Sequence, residues 1–121
     1  MKKALEVNPA GEVRDYDITD GMLDKLQGSV GGLIEAVAIN DVITMWVNEE
    51  FLFKGELDPN PMATAFFESV GGTYPIHGTV VFTGGCDDEG ETLGLSNTDF
   101  EKLQRISESM RESMKQFGFV S

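Results

Sequence analysis

Residues 33–48 read as two apolar strands folded back on each other, and a chain holding such a unit must build an antiparallel sheet. Residues 33–39 (Leu-Ile-Glu-Ala-Val-Ala-Ile) are nearly all apolar, as expected of a central strand. Asn40-Asp41 tolerates the positive φ of a two-residue turn. Val42, Thr44 and Trp46 then alternate against Ile43, Met45 and Val47, which is the period of a strand with two unlike faces. Residues 4–7 and 12–18 predict a second hairpin, turned at Asn8-Pro9-Ala10-Gly11.

Three helical patterns separate and follow these strands. Thr19 or Asp20 is placed to cap the first, whose apolar positions are Met22, Leu23, Leu26 and Val30; Gly31-Gly32 ends it. Asn60 suits the N-cap of the second and Pro61 its first turn, with Met62, Ala65, Phe66 and Val70 facing inward and Gly71-Gly72 closing it. Residues 76–83 alternate as a fifth strand. The last helix, about 97–117, starts at a capping box formed by Thr98 with Glu101 or by Ser96 with Asp99. The predicted order is ββαββαβα in one α+β domain spanning 4–121, a mainly antiparallel sheet covered by helices on one face.

Charge narrows the functional classes. The formal net charge is −12, from 21 acidic and 9 basic side chains. Asp99, Glu101, Glu108 and Glu112 cancel Lys102, Arg105, Arg111 and Lys115 in the last helix. The body, residues 4–95, sets 17 acids against only Arg14, Lys25 and Lys54, which is −14; Lys2 and Lys3 complete the total. Such a field repels phosphate backbones and anionic lipids, so direct nucleic-acid or membrane binding is not expected. A partner with a basic surface is, although solubility alone also accounts for the charge. Cys86 is the single cysteine, no apolar run approaches the about 18 residues of a membrane span, and no signal peptide precedes the domain, so a cytoplasmic location is expected.

Chemistry-bearing residues are sparse. His77 is the only histidine and reads as a solvent-facing strand residue; with Cys86 it cannot complete a zinc site or a nucleophilic pair. Residues 15–21 fail the calcium-loop register, with Asp20 where glycine is required. Asp87-Asp88-Glu89-Gly90-Glu91 reads as a solvated loop, the alternatives being a weak divalent-cation site and a mobile charged tip facing a basic partner. No glycine pair forms a phosphate cradle. No enzyme, cofactor or metal is expected.

Leu5-Glu6-Val7-Asn8-Pro9, Gly31-Gly32-Leu33-Ile34-Glu35-Ala36-Val37, Met45-Trp46-Val47-Asn48-Glu49-Glu50, Asn60-Pro61-Met62-Ala63-Thr64 and Gly90-Glu91-Thr92-Leu93-Gly94-Leu95 occur in that order. Together they resemble a small domain-of-unknown-function family found in actinobacteria, mobile elements and bacteriophages. The resemblance implies an accessory protein, often phage-encoded, that acts on host machinery or host defence by binding.

The residues with most binding potential are Asn48, Glu49, Glu50, Asn60 and Thr64, which can line a polar pocket where the hairpin meets the second helix. The structural alternative is that Asn60 caps a helix and Asn48 ends a strand. The expected function is a non-enzymatic acidic binding protein that engages a host protein. The alternatives are a protein sequestering a small molecule or nucleotide signal, with the Asn60 helix start as its anion site, and a DNA mimic inhibiting a DNA-binding protein. Phe100 to Phe117 form one stripe about five turns long, more than a small sheet face covers. Met110, Met114, Phe117 and Phe119 are therefore expected to form a homodimer interface, the alternative being that the helix folds fully onto the sheet and the tail plugs the end of the core.

Overall fold

The computed structural model describes residues 2–50 and 57–116. Eight elements follow the expected order: β1 (Lys3–Val7), β2 (Val13–Asp17), α1 (Met22–Val30), β3 (Ile34–Asn40), β4 (Ile43–Asn48), α2 (Pro61–Ser69), β5 (Val80–Thr83) and α3 (Asn97–Gln116). The five strands form one antiparallel sheet in the order β2-β1-β5-β4-β3, so the fold is α+β.

The centre of the sheet is β5, not β3. Its four residues are all buried, and Phe82 stands between Leu5 of β1 and Met45 of β4. The apolar run at 33–39 is instead an edge strand, with Glu35, Ala36 and Ala38 exposed. Hydrophobicity along one strand reports burial of its faces, not which strands lie beside it. The β3–β4 hairpin forms as expected. Its turn uses no positive φ; the Asn40 side chain accepts from Val42 N–H at 2.8 Å and closes it locally.

The helices divide between the two faces, whereas the sequence pattern placed them on one. Leu5, Val7, Ile43, Met45, Val47, Val80 and Phe82 point toward α2 and α3, whose Met62, Ala63, Phe100 and Leu103 complete that core. Ala63 takes the inward place that the pattern gave to Ala65, which is exposed. The alternate residues, Ala4, Val81 and Trp46, face Ile18 and Leu26 under α1. Strands buried on both faces lose the polar/apolar alternation that would have revealed the second layer. Leu23, expected inward, is 54% exposed. Trp46 donates its indole N–H to Thr83 Oγ1 at 2.8 Å, a cross-strand bond on this second face.

Helix ends follow mixed rules. Asn60 and Pro61 start α2 as expected, and Ser96 caps α3 by accepting from Asp99 N–H at 3.1 Å. Neither Thr19 nor Asp20 caps α1: Gly21 holds the N-cap position in the left-handed region without a side-chain bond. Thr19 is drawn away to Asp17, which also accepts from Lys2 N–H.

The C-terminal half of α3 is covered within one chain. The β1–β2 turn reaches under it, and a Cβ on Gly11 would meet Arg111 Cβ and Met114 Cε, each at 3.2 Å. Gly11 also has φ of 81°, so both backbone and space require glycine there. Ser107, fully buried, donates to Gly11 C=O at 2.6 Å. Met114 is 9% exposed and Met110 packs against the main core. Met114 is therefore not a free dimer surface, because the turn occupies the place given to a second copy, and Met110 is partly buried against the core of its own chain. Phe117 and Phe119 lie outside the described residues.

Ser107→Ala should leave the buried Gly11 carbonyl without its donor, at a cost of about 1–3 kcal/mol in urea denaturation. Met114→Glu should unfold more readily still rather than release a stable monomer. Unchanged midpoints for both would show that the helix end does not dock on this turn.

Candidate functional site

Asn60 follows from its neighbours: Pro61 fixes the first turn of α2, which leaves residue 60 extended and its side chain free to cap. It is 0% exposed. Its Oδ1 accepts from Ala63 N–H at 3.1 Å, and its amide donates to Val7 C=O at 3.1 Å and Gly78 C=O at 3.0 Å. Thr64, one turn on, accepts from Ile76 N–H through Oγ1 at 2.9 Å. Asn48, 3% exposed at the end of β4, donates to Val30 C=O at 3.2 Å and accepts from Glu50 N–H at 2.8 Å.

Two separate joints thus stand where one polar pocket was expected. Asn60 and Thr64 fasten α2 to β1 and to the run-in of β5, while Asn48 fastens β4 to the end of α1. Their side chains are engaged by backbone, the Asn60 amide on both its donor and acceptor sides, rather than gathered around a shared pocket. Glu49 and Glu50 are exposed. The buried, self-capped start of α2 likewise cannot receive a phosphate, which corrects the expected anion site. Asn60→Ala should cost about 2–4 kcal/mol, through the lost cap and two deprived carbonyls. Asn60→Asp keeps the cap but aims a carboxylate at those carbonyls, and should not rescue. Wild-type stability of either variant in thermal unfolding would return Asn60 to the candidate ligands.

The acidic segment is a built turn rather than a loose tip. Cys86 and Thr92 form a bridge, Asp87 N–H donates to Glu91 C=O, and Asp87 Oδ1 accepts from Glu89 and Glu91 N–H, each at 2.9 Å. Gly84-Gly85 lets this turn pack: a Cβ on Gly84 would lie 2.3 Å from Gly94 O, and one on Gly85 would lie 2.2 Å from Asp41 O. Among the described residues no group of three or more His, Cys, Asp or Glu is placed to hold a metal ion. His77 is half-buried and bridges Pro59, outside strand β5.

A cleft of about 230 Å³ that sequence reasoning missed opens between β2 and α1, lined by Arg14, Tyr16, Asp24, Lys25, Gly28 and Ser29. It gathers two of the three cations of the acidic body, a clustering that only folding produces. Arg14 grips Glu6 with two bonds of 3.0 and 3.1 Å and lies over the Tyr16 ring. Tyr16 and Ser29 hydroxyls share a 3.2 Å bond, and Lys25 donates to Asp17 C=O. Burial works to raise the Glu6 pKa, but hydrogen bonds from Arg14 and Ser29 outweigh it and the net shift is downward. Burial raises that of Tyr16. The cleft is smaller than sites for drug-sized ligands, and its arginine is neutralised by Glu6.

Beside it, hydrogen bonds from the Thr19 hydroxyl, Thr19 N–H and Lys2 N–H hold the Asp17 carboxyl down to about 2. A depressed carboxylate contributes stability above its unfolded pKa and loses it as pH falls through the folded value. Between about pH 5 and pH 2 the native chain should therefore lose more stability than Asp17→Asn; equal losses across a pH series of denaturation curves would refute the Asp17 contribution.

None of the curated proteins and none of the solved structures matches the chain. A family model described as Domain of unknown function (DUF3846) matches residues 1–108. That match takes in every strand and most of α3, and the chain belongs to this DUF3846 family.

Proposed function

We propose that the protein is a non-enzymatic binding protein whose acidic surface docks on a basic surface of a partner protein. The accessory role implied by the family resemblance, in host takeover or anti-defence, fits a protein of this kind. The supporting observation is how few of its carboxylates are neutralised. Among the described residues the ion pairs are Arg14–Glu6 at 3.0 Å and Lys2–Glu91 at 4.0 Å. Asp15, Asp20, Asp24, Glu35, Asp41, Asp58, Glu68, Asp88 and Glu89 stand exposed on many elements. Unpaired surface carboxylates steer a cationic partner and suppress anionic ones. None of the described helices is long and apolar enough to cross a membrane.

The turn at 86–92 presents Asp88, Glu89 and Glu91 together, with the Asp87 carboxylate engaged as its clasp. The test is crosslinked capture of the partner by the native chain and by the triple variant Asp88→Asn, Glu89→Gln, Glu91→Gln. Affinity should fall about tenfold and its salt dependence should flatten. Duplex DNA should not be retarded by the protein at physiological salt. If the partner is itself a DNA-binding protein, as a DNA mimic requires, duplex DNA should compete for it. Failure to recover any specific partner, or binding indifferent to both salt and the triple variant, would sink the proposal. A thermal shift with a nucleotide would favour the small-ligand alternative instead.

A further inference from the structure

The two edges of the sheet are unequally guarded. β2 carries Arg14, Asp15 and Asp17 in five residues, the kind of charge density that keeps an edge from pairing. β3 has seven residues, one charge (Glu35), no lysine and no proline. Among the described residues nothing pairs on its outer side. Its outward backbone groups can be assigned. Glu49 N–H donates to Leu33 C=O at 2.9 Å, so Leu33 and Glu49 are a hydrogen-bonded pair. Hydrogen-bonded and open pairs alternate along an antiparallel ladder. Glu35 and Val37 therefore bond inward to β4, while Ile34, Ala36 and Ala38 aim N–H and C=O outward. A bulge between Ala38 and Asn40 ends this regular stretch.

We infer that the β3 edge pairs antiparallel with β3 of a second copy of this chain, centred on Ala36. In that register Ala36 faces Ala36 of the second copy, and Ile34 faces its Ala38. All three residues with outward groups are then hydrogen-bonded, and both ends stop at the bulge. Glu35 falls opposite Val37 of the second copy, so no carboxylates face each other. A register centred one residue earlier would oppose Glu35 to itself, which is unfavourable. Ala36 and Ala38 are small and exposed, so among the described residues their side chains do not obstruct the approach. Leu33, 58% exposed, would come beside Ile39 of the second copy and gain cover. A partner strand with many acids is excluded by the body's own charge, and β3, with one charge against three in β2, is the less charged of the two edges. Two bodies of net −12 still repel at a distance, so this association should strengthen as salt rises, opposite to the docking of a basic partner.

Light scattering on a sizing column, across micromolar to millimolar chain, tests it with the native protein, Ala36→Glu and Ala36→Lys. The native chain should show twice the monomer mass. Each variant sets like charges opposite each other and should bind itself at least about tenfold more weakly. Mixing the two should restore the dimer mass. Amide exchange on the native chain gives a reading independent of substitution: Ile34, Ala36 and Ala38 N–H should gain protection as concentration rises. A native monomer throughout, a dimer that survives in both variants, or outward amides indifferent to concentration would each overturn the inference.

Discussion

The buried side chain of Asn60 joins three parts of the chain that are far apart in sequence. It caps α2, holds the last carbonyl of β1 and holds the carbonyl of Gly78 just before β5. A short central strand needs such a fixture. β5 has four residues and must enter between β4, from which α2 separates it, and β1 at the other end of the chain. Once its entry is set, Phe82 falls between Leu5 and Met45 and the two halves of the molecule share one core. Three hydrogen bonds in a dry setting are individually modest, but leaving any of these groups unpaired there would be costly.

Burying both faces of the central strands has a consequence for the periphery. With α2 and α3 on one side and α1 on the other, apolar residues are consumed on both faces and the edges become the remaining surfaces of contrast. One edge is charged and the other is plain. Acids that would guard β3 sit instead in the turns, at Asp41, Glu49, Glu50 and Asp87 to Glu91. The same distribution that supports docking of a cationic partner thus leaves one strand open.

The residues that looked most like a ligand site have become joints, and this is a physical outcome rather than an accident. Asn, Thr and Pro at an element boundary are suited both to ligand contact and to closing backbone hydrogen bonds. Where the boundary is buried, unsatisfied backbone groups take the side chains first. Asn48, Asn60 and Thr64 are in that position. Glu49 and Glu50 are not, and they remain part of the acidic surface.

By itself the sequence determined what depends on neighbours within a few residues. The β3–β4 hairpin, the cap and proline of α2, the glycine end of α1 and the Ser96 start of α3 are local, and short-range hydrogen bonds and φ preferences decide them. Tertiary structure decided what depends on distant partners. It made β5 central and β3 an edge, divided the helices between two faces, brought Arg14 and Lys25 to one cleft, and set Ser107 against Gly11, 96 residues away. Apolar pattern records that a side chain is buried but carries no label for what buries it. Strand order, the cover over Met114 and the fate of Asn60 were therefore legible only once the chain had closed on itself.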